Sequence, residues 1–258
     1  MTYAFPSTFE NRHVVVTGGA GGIGTAIAER FADAGAPVTI VGRNPDKLRA
    51  TAERLGIHAA MADVTVRGEV EAAISDAVAA RGPIRILVNN AGSAEAAPFS
   101  KTDEALWDRM LAVNLTGTYL CTHAVIGYMV AAGDGRIVNI ASTASLTGYP
   151  YVSAYCAAKH GVLGLTRSLA LEFARKGVTV NAVCPGYTDT ELVERSIDNI
   201  VASTGRNRDD AMAELLKVNP QRRLVKPDEV ADAVLWLCGP NAASVTGQAI
   251  AIAGGEVM

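Results

Sequence analysis

Residues 13–24 read H-V-V-V-T-G-G-A-G-G-I-G, and they decide the fold. The β-branched run 13–17 suits a buried strand. The glycines after it suit a tight turn, and residues 25–34 continue with Ile27, Ala28 and Phe31 at helical spacing. Strand, glycine turn and helix in that order make a place for a dinucleotide phosphate. Glycine lets the backbone come close, and the helix N-terminus offers free N–H groups at the positive end of its dipole. No Lys-Ser/Thr pair ends the turn, which excludes a P-loop. A glycine turn used only for packing is the alternative reading.

Working outward, short apolar runs alternate with helical stretches through most of the chain. Runs at 37–41, 58–62, 84–88, 136–141, 178–183 and 248–253 read as further strands. Helices are expected at 47–55, 68–80, 107–132, up to Arg175 before Gly177, and from Pro227, with Asp228 and Glu229 in the first turn. The pattern predicts one α/β domain over residues 1–258, doubly wound around a seven-stranded parallel sheet, with ligands at the carboxyl edge. Residues 188–220 break the alternation with two short polar helices. They suit a substrate lid or a plain surface excursion.

The stretch 140–159, I-A-S-T-A-S-L-T-G-Y-P-Y-V-S-A-Y-C-A-A-K, carries the acid–base chemistry. Tyr155 and Lys159 are four apart and share a helix face, and Ser142 follows the strand 136–141. A phenol of pKa ~10 is a poor neutral-pH base, and a nearby ammonium can lower that value by roughly 1–3 units. An unremarkable surface tyrosine and lysine are the alternative.

Composition bounds the function. The chain has 258 residues, about half of them apolar, and a net charge of -3. That argues against global disorder and against a nucleic-acid partner. Four scattered cysteines and four histidines form no ligand cluster, so no metal is expected, and free thiols suit a reducing compartment. Residues 1–12 lack the marks of a signal peptide, and no uncharged apolar run is expected to reach the ~18–20 residues of a membrane span. A cytoplasmic protein without a membrane partner is expected.

The T-G-x-x-x-G-I-G form of the turn, N-N-A-G at 89–92, Ser142 with Y-x-x-x-K, and P-G-x-x-x-T at 185–190 together resemble the short-chain dehydrogenase/reductase family, over almost the whole chain. The resemblance implies a Rossmann-type fold and a nicotinamide cofactor held by Gly18, Gly22, Ile23, Gly24, Asp63, Val64, Asn90, Ala91, Gly92, Pro185, Gly186 and Thr188, with Tyr155 and Lys159. It implies that Tyr155 exchanges a proton with the substrate oxygen and that Lys159 lowers the pKa of Tyr155 and bonds the ribose. Ser142 would polarise the carbonyl, Asn114 would hold a relay water, and the protein would be a homotetramer. Where NAD-binding chains carry an acid after the second strand, this one has Arg43, which favours NADP(H) over NAD(H). A solvated turn arginine is the alternative there. Ala20 and Gly21 stand where the family often has a second basic residue. Ala253 replaces a common aspartate, and 220–223 read P-Q-R-R in place of the usual proline-x-glycine-arginine.

The expected substrate is a small secondary alcohol or ketone. Arg206, Arg208, Arg222 and Arg223 leave open a reductase of 3-oxoacyl thioesters, or a 3-hydroxyacyl-CoA dehydrogenase. A non-catalytic nucleotide sensor is the reading from another class, but it would be expected to have lost Ser142, Tyr155 or Lys159.

Overall fold

The computed structural model of the protein describes residues 9–257; most of 1–12, the segment expected to lack a leader, lies outside them. Seven strands form one parallel sheet: β1 (His13–Thr17), β2 (Val38–Gly42), β3 (His58–Met61), β4 (Ile84–Asn89), β5 (Gly135–Ile140), β6 (Val178–Pro185) and β7 (Ala249–Ile252). Their order is β3-β2-β1-β4-β5-β6-β7. The order reverses where β1 meets β4, which opens a crevice at the carboxyl ends of the strands.

Successive side chains of β1 serve opposite faces. Val14 and Val16 pack with Ile27, Phe31, Val230 and Val234, from helices α1 (Gly22–Asp33) and α9 (Pro227–Cys238). Val15 packs with Val70, Ile74, Val125 and Met129, from α3 (Arg67–Arg81) and α5 (Gly117–Ala132). Burying each such side chain contributes about 1.5–3 kcal/mol. Only a sheet covered on both faces buries a run like V-V-V entirely, which is why these strands read as continuous apolar runs. α2 (Pro45–Leu55) starts on an Asn44 cap and ends on left-handed Gly56.

The helix expected over 107–132 is longer and interrupted. α4 (Glu104–Leu111) runs into a single π turn, Ala112–Thr116, and then into α5. The continuous stretch Glu104–Ala132 is long and apolar enough to cross a membrane by length and composition, a correction to the expectation that no run reaches that length. Leu120, Val125 and Met129 on this stretch are spent inside the core.

α6 (Ser153–Phe173) packs on β6 and on α4. Between β6 and α9, helices α7 (Glu191–Thr204) and α8 (Arg208–Leu216) enclose a small apolar cluster of their own, built on Val193, Ile197 and Ala211 with Tyr187 and Leu224 against it. Both ends of this excursion are tied together: Val225 N–H donates to Tyr187 O and Asp189 N–H to Val225 O, each at 2.9 Å.

Candidate active site

The glycine turn is packed to its limit. Gly18 is left-handed at φ 64°, and its N–H donates to Val41 O at 2.7 Å. A Cβ on Gly24 would lie 2.2 Å from Gly18 O, so the loop lies directly on α1. α1 has no side-chain cap and no acid in its first turn. The N–H groups of Gly22, Ile23 and Gly24 therefore open onto the crevice, the arrangement an anionic diphosphate needs. Thr190, at the start of the helical excursion, stands over this turn, 2.5 Å from the position of a Cβ on Gly22.

Thr17 joins the two strands that flank the crevice. Its Oγ1 accepts from the N–H groups of Asn90 and Ala91, both at 3.0 Å, and Asn90 Nδ2 donates back to Thr17 O and Gly18 O. Thr17 was not singled out in the sequence, because its partners lie more than seventy residues away and become neighbours only through the β1–β4 pairing.

At one end of the crevice, Arg43 follows β2 with its side chain 70% exposed, and Nη1 donates to Asp63 Oδ2 at 3.4 Å. Burial works to raise the Asp63 carboxyl, but two hydrogen bonds from Thr65 and the nearby guanidinium outweigh it and hold the pKa low. Val64 packs beneath Gly117, where a Cβ would lie 2.8 Å from it.

At the other end, Ser142 leaves β5 in an extended conformation and its Oγ accepts from Ala144 N–H. Tyr155 and Lys159, on the first turns of α6, come to the same place. The Tyr155 hydroxyl hydrogen-bonds Ser142, and Lys159 Nζ lies 5.7 Å from the centre of the Tyr155 ring. Lys159 is only 5% exposed and donates to Ile140 O at 2.8 Å. Burial lowers its pKa to about 8. Holding it charged at neutral pH thus costs on the order of 3 kcal/mol.

Burial, partly offset by the Ser142 hydrogen bond, pushes the Tyr155 phenol up to about 12. This reverses the expected direction. The ammonium faces the ring and the Ile140 carbonyl, and desolvation of the phenolate dominates.

Asn114 occupies the π turn and is 1% exposed. Its Nδ2 donates to Ser93 O and Met110 O, and its Oδ1 accepts from Ser93 N–H. The side chain expected to hold a water is therefore committed to backbone. Gly92 passes directly over Asn114, since a Cβ there would lie 2.7 Å from Oδ1. Pro185 ends β6, and Thr188 is buried with its hydroxyl on Gly186 O. Ser142, Tyr155 and Lys159 and the residues of the glycine turn thus lie along one edge of one sheet, and the residues present fit a dinucleotide.

Below the site, Asn89 Nδ2 donates to Thr122 Oγ1 and Asn139 Oδ1, and Asn139 Nδ2 donates to Thr166 Oγ1. This buried ladder ties β4 and β5 to α5 and α6, and so fixes where Tyr155 and Lys159 stand.

Among known proteins, the family model described as short chain dehydrogenase matches residues 12–201. D-threitol dehydrogenase of Mycolicibacterium smegmatis is 40% identical, the match covering 97% of this chain and 95% of that one. D-beta-hydroxybutyrate dehydrogenase of Rhizobium meliloti is 39% identical, over 93% and 96%. A crystal structure of an actinorhodin polyketide ketoreductase variant with NADPH superposes at a TM-score of 0.91 with 38% identity, over 95% of this chain and 97% of that one. With a nucleotide crevice at one end of the sheet edge and a tyrosine–serine–lysine centre at the other, this chain belongs to the short-chain dehydrogenase family and is an oxidoreductase of alcohol/ketone pairs that works with a nicotinamide cofactor.

Proposed function

We propose that the protein is an NADP(H)-dependent oxidoreductase that interconverts small ketones and secondary alcohols, with Tyr155 as the group that exchanges a proton with the substrate oxygen. The observation that carries this reading is the convergence of Tyr155, Ser142 and Lys159 at the end of β5, with Lys159 Nζ 5.7 Å from the centre of the Tyr155 ring, and burial keeps the Tyr155 phenol protonated. At neutral pH it is a proton donor, which a carbonyl being reduced requires. Ser142 sits beside it to bond and orient the same carbonyl. Lys159, cationic and buried, lies 5.7 Å from the centre of the Tyr155 ring, and its charge favours negative charge developing in this part of the site. The nicotinamide, when bound, supplies the hydride chemistry. The side chain of Asn114 holds the 92–93 backbone in place, so a proton-relay water would have to use a main-chain group there.

Arg43 supports NADP. It follows β2, is largely exposed, and its one bond to Asp63 is long, so a 2′-phosphate can displace that partner. Arg43→Ala should weaken NADPH binding about tenfold or more while changing NADH little, as loss of one charge-assisted contact implies. Titration of both cofactors checks this, and equal weakening of the two would defeat the assignment.

The thioester reading draws less support. Arg206, Arg208 and Arg223 each pair with carboxylates of the excursion or of α9, namely Glu214, Glu194 with Asp198, and Glu229. We read α7 and α8 as a substrate lid hinged at the Tyr187–Val225 bonds. Exposed Trp107, Tyr119, Tyr128 and Leu171 on α4–α6 support a homotetramer. Four free cysteines suit a cytoplasmic setting. The reading as a whole is tested by a panel of ketones assayed with NADPH and with NADH. Oxidation of NADPH by at least one neutral ketone is expected, and none across the panel would overturn it.

A further inference from the structure

Lys47 and Glu191 are 144 residues apart in the chain, yet Lys47 Nζ donates to both carboxylate oxygens of Glu191, at 2.8 and 2.9 Å. Lys47 stands in the first turn of α2, just after β2, and Glu191 is the first residue of α7, which follows β6. Between β2 and β6 in the sheet lie β1, β4 and β5. The ion pair therefore spans the carboxyl ends of those three strands, and with them the crevice where β1 meets β4. Thr190, the neighbour of Glu191, lies over Gly22, 2.5 Å from the position of a Cβ there. The pair thus crosses beside the turn whose N–H groups suit a diphosphate.

Among the described residues, this is the one ion pair that joins the excursion 188–220 to the β1–β3 half of the sheet. Other charges of the excursion are paired within it, Arg208 with Glu194 and Asp198, and Arg206 and Lys217 with Glu214. α7 and α8 also share their own apolar cluster, so they form one piece that can turn about the Tyr187–Val225 bonds. The Lys47 hydrogen bond and charge hold the Glu191 carboxyl below its usual range, so the pair stays charged at neutral pH. Both partners are more than half exposed, Lys47 at 52% and Glu191 at 66%. An exposed ion pair is weak and breaks readily. That makes it a poor source of stability and suits a contact that has to open in every turnover.

We propose that Lys47 and Glu191 form a clasp across the crevice that gates exchange of the nicotinamide dinucleotide: the cofactor enters and leaves while the pair is open and is retained while it is closed. Both are positioning residues, acting through the first turn of α7, which they hold over the glycine turn. Breaking the clasp speeds entry and release together, so it changes rates more than affinity. This inference rests on the reading of residues 188–220 as a movable lid, and it extends the work of that lid from the substrate to the cofactor.

The test measures release of NADPH and of NADH by stopped-flow fluorescence, after mixing the loaded protein with excess oxidised cofactor. Lys47→Gln and Glu191→Gln should each release the reduced cofactor about two- to fivefold faster, the range that an exposed ion pair supplies. The Glu191→Gln arm is decisive, because plain charge attraction predicts the opposite sign. Removing a carboxylate from beside an anionic dinucleotide would by itself slow release. The exchanged pair, Lys47→Glu with Glu191→Lys, should return the rate close to that of wild type. Slower or unchanged release in Glu191→Gln would overturn the proposal, and so would an exchanged pair as fast as Lys47→Gln. A lower melting temperature in the single variants with release unchanged would mean a structural role only, and would overturn it too. Hydrogen exchange of the amides of 191–216 separates this inference from the lid reading, with oxidised cofactor and the best ketone of the panel as the bound pair. Exchange slowed by the ketone, with release indifferent to Glu191, would remove the clasp and leave the lid. Exchange indifferent to the ketone, with faster release in Glu191→Gln and recovery in the exchanged pair, would remove the lid over the substrate and leave the clasp.

Discussion

Replacing Tyr155 with phenylalanine will lower turnover by about 10³-fold or more while leaving cofactor affinity within about threefold. The substitution removes one oxygen and keeps the ring, so the contact with Lys159 Nζ and the packing of α6 survive. What disappears is the hydroxyl that meets Ser142. The phenol's high pKa adds a directional signature. Reduction uses the protonated form, which is dominant far below about 12, so kcat/KM for ketones should be flat through neutral pH. It should fall only as Lys159 loses its proton, near about 8. Oxidation needs the phenolate, so it should climb by about tenfold per pH unit over the same span. Pre-steady-state turnover, cofactor titration and the two pH profiles check this. A phenylalanine variant with near-normal turnover would remove Tyr155 from the chemistry.

Gly24→Ala will weaken cofactor binding by about 100-fold or more and cost roughly 1–3 kcal/mol of stability. The added carbon would lie 2.2 Å from Gly18 O, 2.6 Å from Asn90 Nδ2 and 2.9 Å from Gly18 C. None of these can step aside cheaply. Gly18 is backbone, and Asn90 is pinned by two bonds to the carbonyls of Thr17 and Gly18. Relief comes only by lifting the turn off α1, which moves the N–H groups that face the crevice. Gly21→Ala is the informative comparison, because its added carbon meets nothing closer than 3.9 Å. A much smaller effect there would show that bulk, and not lost glycine flexibility, governs the Gly24 result. Cofactor titration and thermal melting measure both variants.

The fold was legible because a parallel sheet covered on both faces writes itself as short apolar runs separated by helices, and H-V-V-V-T followed by glycines allows little else. Tyr155, Lys159 and Ser142 were legible because two of them are a helical turn apart and the third ends the preceding strand. Other features need three dimensions. Thr17 and Asn90 meet only because β1 and β4 are neighbours, and Arg43 finds Asp63 only because β2 and β3 are. The direction of the Tyr155 shift was missed because spacing reports who is near, whereas desolvation depends on everything that surrounds the group. Lys47 and Glu191 carried no motif at all. Two charges 144 residues apart look like any solvated side chains until the strand order brings their helices to one crevice.

The π turn at Ala112–Thr116 amounts to one residue inserted into an otherwise regular helix. It sets α4 and α5 out of phase by about a hundred degrees of rotation, so one helical wheel cannot describe both. Asn114 points inward because of that slip, and its grip on Ser93 depends on it. Idealising the stretch with strong helix formers would stabilise it locally and turn the asparagine out of the site, an instance of stability gained against function.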